Sequence, residues 1–154
     1  MKRTIAAVLA ALTLLISGCA GSSAKELGAV FEDIKAEVSF ESFREYASKD
    51  ELLNFYGIEA DDVLEFAGGV NTTGVAQEEI ILIRAKDGEA ADRIKTSLDN
   101  RYNAKLSQNR NYNAEQAEMI EKCRVEQDGS YVSMIVSPNA ERITEIYKKE
   151  TGKQ

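Results

Sequence analysis

The sequence predicts an α+β fold in two layers: a four-stranded antiparallel sheet from two ββα units, with helices mainly on one face and two further helices before it. Two pairs of short apolar segments have the composition of β-hairpins, and an amphipathic helical pattern follows each pair. The segment before the first pair has helical periodicity. Adjacent hairpins pair most simply with each other, and amphipathic helices need an apolar surface to cover.

Two helices are predicted before the first strand. Apolar residues recur at helical spacing over residues 27–38, with charged residues between them. The pattern over residues 40–47 is weak and predicts no element. Ser48 and Glu51 then match a capping box at the start of a short helix, which Gly57 can end in the left-handed conformation.

The first predicted hairpin joins residues 63–70 to residues 79–85. Its first strand alternates apolar and polar side chains, and Gly68-Gly69 within it indicates a bulge or a close backbone approach. The second strand contains the continuous run Ile80 to Ile83. Such a run predicts a central strand that is covered on both faces, or on one face by a partner.

The longest helix and the second hairpin follow. Residues 88–107 have an amphipathic helical pattern, and Asn113 can cap a short helix after it. Asp128-Gly129 is a dipeptide typical of two-residue hairpin turns. The very apolar segment from Tyr131 to Val136 should be the second central strand. Ser137-Pro138 can then cap the last helix.

The first twenty residues have the pattern of an export signal. Lys2 and Arg3 give a positive start, and the uncharged apolar run from Thr4 to Ile16 is followed by small residues. A helix of this length spans about 20 Å, less than the roughly 30 Å of a hydrocarbon core. The run therefore predicts a cleaved signal rather than a lasting membrane span.

Ile16-Ser17-Gly18-Cys19 resembles the lipobox of bacterial lipoproteins. The resemblance implies cleavage between Gly18 and Cys19, a diacylglyceryl lipid on the Cys19 thiol, and a protein at the extracytoplasmic face of the cell membrane. Two acyl chains give a stable anchor, whereas one gives marginal binding. The alternative is an ordinary secretory signal with a chance cysteine at its end.

The predicted domain boundaries follow from this processing. Residues 1–18 are the signal peptide, 19–25 are the lipidated cysteine and a short tether, 26–150 form one globular domain, and 151–154 are a tail. The tether residues Ala20 to Ala24 reach about 17 Å when fully extended. A membrane-proximal partner is therefore expected.

Composition argues against most catalytic chemistry. Histidine is absent, which removes the commonest general base and metal ligand. Without Lys2 and Arg3 the chain keeps 17 basic and 26 acidic residues, a net charge of −9, which argues against nucleic-acid binding. We predict no catalytic residue, no metal and no cofactor other than the lipid on Cys19. Cys123 then lacks a cysteine partner, and a small buried apolar residue is preferred over a reactive thiol.

Three other features are candidates for chemistry or contact. Asp61-Asp62 and Glu78-Glu79 could bind a hard cation, but solvated surface is the preferred interpretation. A glycosidase-like pair of carboxylates is an open alternative. Tyr102 and Tyr112, near a polar loop predicted at residues 108–111, are the candidate contact surface, with core packing as the competing interpretation.

Several stretches together resemble a family of small Gram-positive lipoproteins known only as a domain of unknown function. They are spread from Leu27 to Tyr147, and their order and spacing carry the resemblance. The stretches are Asn54-Phe55-Tyr56-Gly57-Ile58, residues 78–87 running into 90–94, Arg101 ahead of Tyr112, and Asp128-Gly129-Ser130-Tyr131-Val132 leading to Val136-Ser137. The resemblance implies an extracytoplasmic lipoprotein with one domain and brings no catalytic residue.

The sequence therefore predicts a non-catalytic binding or accessory module, anchored in the bacterial cell envelope by its lipid. Its expected partner is a membrane-proximal envelope protein or a wall-associated ligand. One alternative is a hydrolase of an envelope polymer, which needs two carboxylates with one protonated near neutral pH. Another is a small-ligand sensor, which needs a concave apolar pocket.

Overall fold

The computed structural model describes residues 24–153, which form a sheet between two layers of helices; the signal peptide, Cys19 and the tether to Ser23 lie outside the described residues. The strands are β1 (Phe43–Glu45), β2 (Val63–Asn71), β3 (Glu79–Ala85), β4 (Arg124–Asp128) and β5 (Tyr131–Val136). The helices are α1 (Leu27–Glu37), α2 (Lys49–Tyr56), α3 (Gly88–Tyr112), α4 (Ala114–Glu121) and α5 (Ala140–Thr151), with a short 3-10 helix at Ala60–Asp62.

All neighbouring strands are antiparallel, in the order β1-β2-β3-β5-β4. The two predicted hairpins pair through β3 and β5, where Ile80 faces Ile135 and Ile83 faces Val132, so the two most apolar strands lie inside the sheet as predicted. The predicted number of four strands is wrong. β1 is a fifth strand that the sequence did not reveal, because it has three residues, and Arg44 and Glu45 are exposed.

Helices cover both faces of the sheet, so the prediction of two layers with helices mainly on one face is also wrong. Ile81 and Ile83 pack towards α2, α3 and α4. Ile80 and Leu82 pack towards α1 and α5. All four side chains are fully buried, which is the first of the two alternatives that this continuous apolar run left open. Both N-terminal helices are present, but β1 separates them and they lie on opposite faces.

Gly68 and Gly69 permit a close backbone approach, one of the two alternatives that the sequence left open for this pair. A Cβ atom on Gly68 would lie 2.0 Å from the Ile80 carbonyl oxygen, and one on Gly69 would lie 2.3 Å from that of Arg44. The irregularity in strand pairing lies elsewhere in β2, at Val63/Glu65. It leaves Leu64 56% exposed, although the alternating pattern placed this residue on the inner face.

The long helix α3 continues to Tyr112, beyond the predicted end at Ser107 and through the predicted loop. Asn109 stabilises this extension by donating its side-chain amide to the Lys105 carbonyl, at 2.8 Å. The helix ends at Asn113, whose side chain accepts a hydrogen bond from the Gln116 N–H at 3.2 Å and caps α4 as predicted.

The other local signals lie within two residues of their predicted positions and differ in detail. Gly57 ends α2 in the left-handed conformation, with φ 69°, as predicted. The predicted capping box is not formed: Glu51 accepts from the Ala47 N–H at 2.6 Å, and Ser48 makes no side-chain cap. The second hairpin turns at Gly129-Ser130, one residue later than predicted, since Asp128 pairs with Tyr131. Gly129 is the first residue of this turn and adopts positive φ, whereas Asp128 and Ser130 do not. The last helix begins at Ala140, two residues beyond Pro138. The Ser137 hydroxyl accepts a hydrogen bond from the Asn139 N–H, in the turn that precedes this helix.

The start and the end of the described chain lie side by side. The Lys25 N–H donates to the Glu150 carbonyl at 3.2 Å, and α1 packs along α5. The chain therefore joins the domain near the C-terminal end of α5, which extends one residue past the predicted boundary at residue 150. Within residues 24–153, no helix has the length and apolarity needed to cross a bilayer.

Candidate functional site

A groove runs along β4 at one side of the sheet. Its floor is formed by β4 and β5, one wall by α5, and one end by α4. The larger part has a volume of about 770 Å³, and a hollow of about 290 Å³ continues it along β4. Glu126, Ser133 and Lys148 line both parts. We call this feature the β4 groove.

The floor of the β4 groove combines apolar side chains with one polar group. Ile135 and Met119 supply apolar surface, and Ser133 lies between β4 and the wall formed by α5. Ser133 is 2% exposed and lines both parts of the groove. Its hydroxyl can donate a hydrogen bond to an occupant of the groove or accept one from it.

The rim of the β4 groove is mainly acidic. Glu115 and Glu118 extend from α4 and Glu141 from the first turn of α5; all three are exposed, and none forms an ion pair within the part of the chain that the structure describes. Glu126 and Lys148 form an ion pair at 3.0 Å where the two parts of the groove meet.

Basic side chains at the rim are fewer than acidic ones. Lys122 and Arg124 lie at the α4 end, and Arg124 is 3.9 Å from Glu126. Glu145 pairs with Arg142 at 2.9 Å, and Arg142 also pairs with Glu37. The unpaired charge of the rim is therefore negative.

Cys123 lies at the edge of the groove floor and is 6% exposed and free, so its predicted role as a small buried residue is confirmed. Its sulfur lies 3.6 Å from the Ser137 carbonyl and 3.8 Å from the Met119 sulfur. Burial raises the pKa of the Cys123 thiol, which is unfavourable for a reactive thiolate.

A buried charge network occupies the other face of the sheet, centred on Glu79. Both Glu79 oxygens accept from Arg101, at 2.9 and 2.8 Å, and Lys105 Nζ lies 2.9 Å from Oε2. The Tyr56 hydroxyl donates to Oε1 at 2.8 Å and also bonds to the Tyr46 hydroxyl. We call these five residues the Glu79 network.

Burial and neighbouring charges have opposite effects on the pKa of Glu79. Burial acts to raise the pKa of Glu79, but hydrogen bonds and charge from Arg101 and Lys105 outweigh it and hold that pKa below its usual value. Burial lowers the pKa of Lys105 and raises the pKa of both tyrosines. Glu79 is 1% exposed and ionised.

Asp62 is a second buried carboxylate. Arg93 binds both of its oxygens, at 2.7 and 2.8 Å, and Lys86 lies at 3.0 Å. These hydrogen bonds and charges hold the pKa of Asp62 far below its usual value.

The expectation that both acidic pairs are solvated surface is wrong for Asp62 and Glu79. Their arginine partners lie on α3, 31 residues from Asp62 and 22 residues from Glu79, and no local sequence pattern predicts pairing over such distances. The one available signal was the position of Glu79 directly before a buried apolar run. Within residues 24–153, no group of three or more acidic or cysteine side chains is placed to hold a metal ion.

The two tyrosines of the predicted contact surface do not meet. Ten residues of α3 separate Tyr102 from Tyr112, which is a rise of about 15 Å. The Tyr102 hydroxyl donates to the Ile120 carbonyl at 3.0 Å, and its ring packs on the core. Tyr112 is 86% exposed. A contact role for either tyrosine stays a prediction.

The fold and its groove define an α+β domain with a five-stranded antiparallel sheet between helices and a concave acidic surface at one side. The chain belongs to the family described as a domain of unknown function, DUF4358, whose model matches residues 36–137. The predicted resemblance to a family of unknown function is thereby confirmed. The match includes all five strands and the groove floor, and it ends before α5. No curated protein and no solved structure matches the chain.

Proposed function

We propose that this protein is a non-catalytic binding module, held by a lipid on Cys19 at the extracytoplasmic face of the membrane, that binds a membrane-proximal partner in the β4 groove. The observation that carries the proposal is the groove itself. Its volume of about 770 Å³ is in the range of ligand sites, and apolar floor residues lie beside a few convergent polar groups, as binding sites require.

The position of the groove relative to the anchor supports a nearby partner. The chain joins the domain at the C-terminal end of α5, through the Lys25–Glu150 hydrogen bond. The tether adds about 17 Å at most, and α5 measures about 18 Å from end to end. The larger part of the groove, near the start of α5, then lies within roughly 35 Å of the bilayer.

The buried ionisable groups favour binding over hydrolysis. A carboxyl that donates a proton near neutral pH needs a raised pKa. Asp62 and Glu79, the buried carboxylates of residues 24–153, have lowered pKa values because cations surround them.

We expect a bulky side chain in the groove to prevent partner capture. Thr144 lines the groove from α5, and Thr144→Trp fills part of its volume. Thr96→Trp is the matched control, because Thr96 is an exposed threonine on α3 away from the groove. The full-length lipoprotein is cross-linked in intact cells and recovered from solubilised membranes, and the captured proteins are identified by mass spectrometry.

Native chain and Thr96→Trp should recover the same partner, and Thr144→Trp should not. Equal recovery with both tryptophan variants would show that the groove is not the binding site. Recovery of the bait alone in all three cases would contradict the proposed binding function itself.

A further inference from the structure

We infer that the β4 groove takes a lysine- or arginine-bearing peptide segment of the partner protein. This inference rests on the proposed function and specifies the chemistry of its ligand. Three features of the groove support it: the unpaired charge at the rim, the placement of the free carboxylates on two helices, and the apolar floor.

The rim attracts positive charge because three of its carboxylates are unused. Glu115, Glu118 and Glu141 are exposed and form no ion pair within residues 24–153, whereas Glu126 and Glu145 are paired with basic residues. Only Lys122 and Arg124 oppose the three free carboxylates within this rim. Exposed ion pairs are weak individually, but several of the same sign select and orient a charged ligand.

The spacing of these carboxylates favours a ligand whose charges are spread along its length. The free carboxylates lie on two helices, and among the described residues no three acidic side chains converge as a metal site needs. A single small cation would meet one or two of them. A peptide with successive basic side chains can meet all three.

The groove floor suits the remaining parts of such a peptide. Lysine and arginine carry long aliphatic stems that pack on apolar surface while their charged ends stay in water. Met119 and Ile135 offer that surface below the acidic rim. Ser133 lines the floor, and its hydroxyl can donate to a peptide carbonyl.

The inference is tested by fluorescence anisotropy with dye-labelled peptides and the full-length chain in non-ionic detergent. The probe is a peptide of about eight residues in which lysine alternates with threonine, a length that spans a strand-sized groove. A counterpart with glutamate in place of lysine controls for charge sign. Unlabelled spermidine serves as a competitor.

Two triple variants distinguish the contribution of the rim carboxylates to peptide binding from that of the overall negative charge of the protein. Glu115→Gln, Glu118→Gln and Glu141→Gln together remove the free rim carboxylates. Glu41→Gln, Asp61→Asn and Glu89→Gln remove the same charge from exposed positions outside the groove.

We expect the lysine peptide to bind the native chain and the control triple equally and to bind the rim triple about tenfold more weakly. The glutamate peptide should not bind. Equal affinity for both triples would overturn the inference, and so would displacement by spermidine at the peptide's own concentration, which would indicate a polyamine site.

Failure of the inference is distinguishable from failure of the proposed function. If Thr144→Trp prevents partner capture while the rim triple changes neither capture nor peptide binding, the groove binds its partner by other chemistry and only the inference fails. If Thr144→Trp leaves capture unchanged, the proposed function fails as well.

Discussion

Glu79 is predicted from the sequence to be solvated surface, but it is buried in the structure. In sequence it is half of an acidic pair that is typical of surface. In the structure it is 1% exposed and joins β3 to α3 through Arg101 and Lys105. Breaking a buried ion pair from one side is strongly destabilising, because the remaining charge has no partner.

Glu79→Gln should therefore destabilise the fold by about 3 kcal/mol at neutral pH. Glutamine keeps the shape and can still accept from Tyr56, but it leaves Lys105 without its counter-charge. The measurement is urea unfolding of the native chain, of Glu79→Gln, and of Glu89→Gln as an exposed control on α3. A loss no larger than that of the control would contradict a structural role for this charge.

The difference in stability between the native chain and Glu79→Gln should depend on pH. The folded pKa of Glu79 lies below its ordinary value. Its ionisation therefore contributes stability above the unfolded pKa of glutamate, about 4.3, and this contribution is lost as pH falls through the folded pKa. The native chain should lose stability more steeply than Glu79→Gln below about pH 5. Parallel curves of unfolding free energy against pH would contradict this assignment.

At the scale of elements, β2 depends on two glycines because other backbones approach it closely on both sides. Gly68 has φ 141°, and a Cβ on it would lie 2.0 Å from the Ile80 carbonyl. Sequence alone indicated a bulge or a close backbone approach at the glycine pair. It could not show the approaching strands, since one of them, β1, has no apolar pattern.

Gly68→Ala should destabilise the domain by about 3 kcal/mol or more, because β2 and β3 must separate locally. Gly28→Ala is the matched control: a Cβ on Gly28, in α1, would have open space within 4 Å, so this change should be neutral or stabilising by up to about 1 kcal/mol. Thermal unfolding of both variants measures the difference. Similar stability of the two would show that the sheet can open at Gly68 without cost.

At the scale of the whole molecule, anchoring and folding should be separable. The predicted lipid site, Cys19, precedes the first described residue, and the core clusters consist of residues from Leu27 onwards. The acidic composition gives the domain no attraction of its own to an anionic membrane.

Cys19→Ala should therefore release the protein from the membrane and leave the domain folded. Cell fractionation measures the release, and resistance to limited proteolysis measures the fold. A chain with Ser22→Ala, which keeps the predicted lipobox and Cys19, serves as the control. Retention of Cys19→Ala in the membrane fraction would contradict the lipid anchor.

The sequence by itself determined the α+β class, both hairpins, the two central strands and the family, because hydrophobic periodicity and turn residues act over short distances along the chain. Tertiary structure alone decided the second helical layer, the edge strand β1, the burial of Asp62 and Glu79, and the β4 groove. Each of these depends on which surfaces meet in space, and the residues that meet, such as Glu79 and Arg101, are far apart in sequence. The groove in particular exists because α5 and α4 border β4 without covering it.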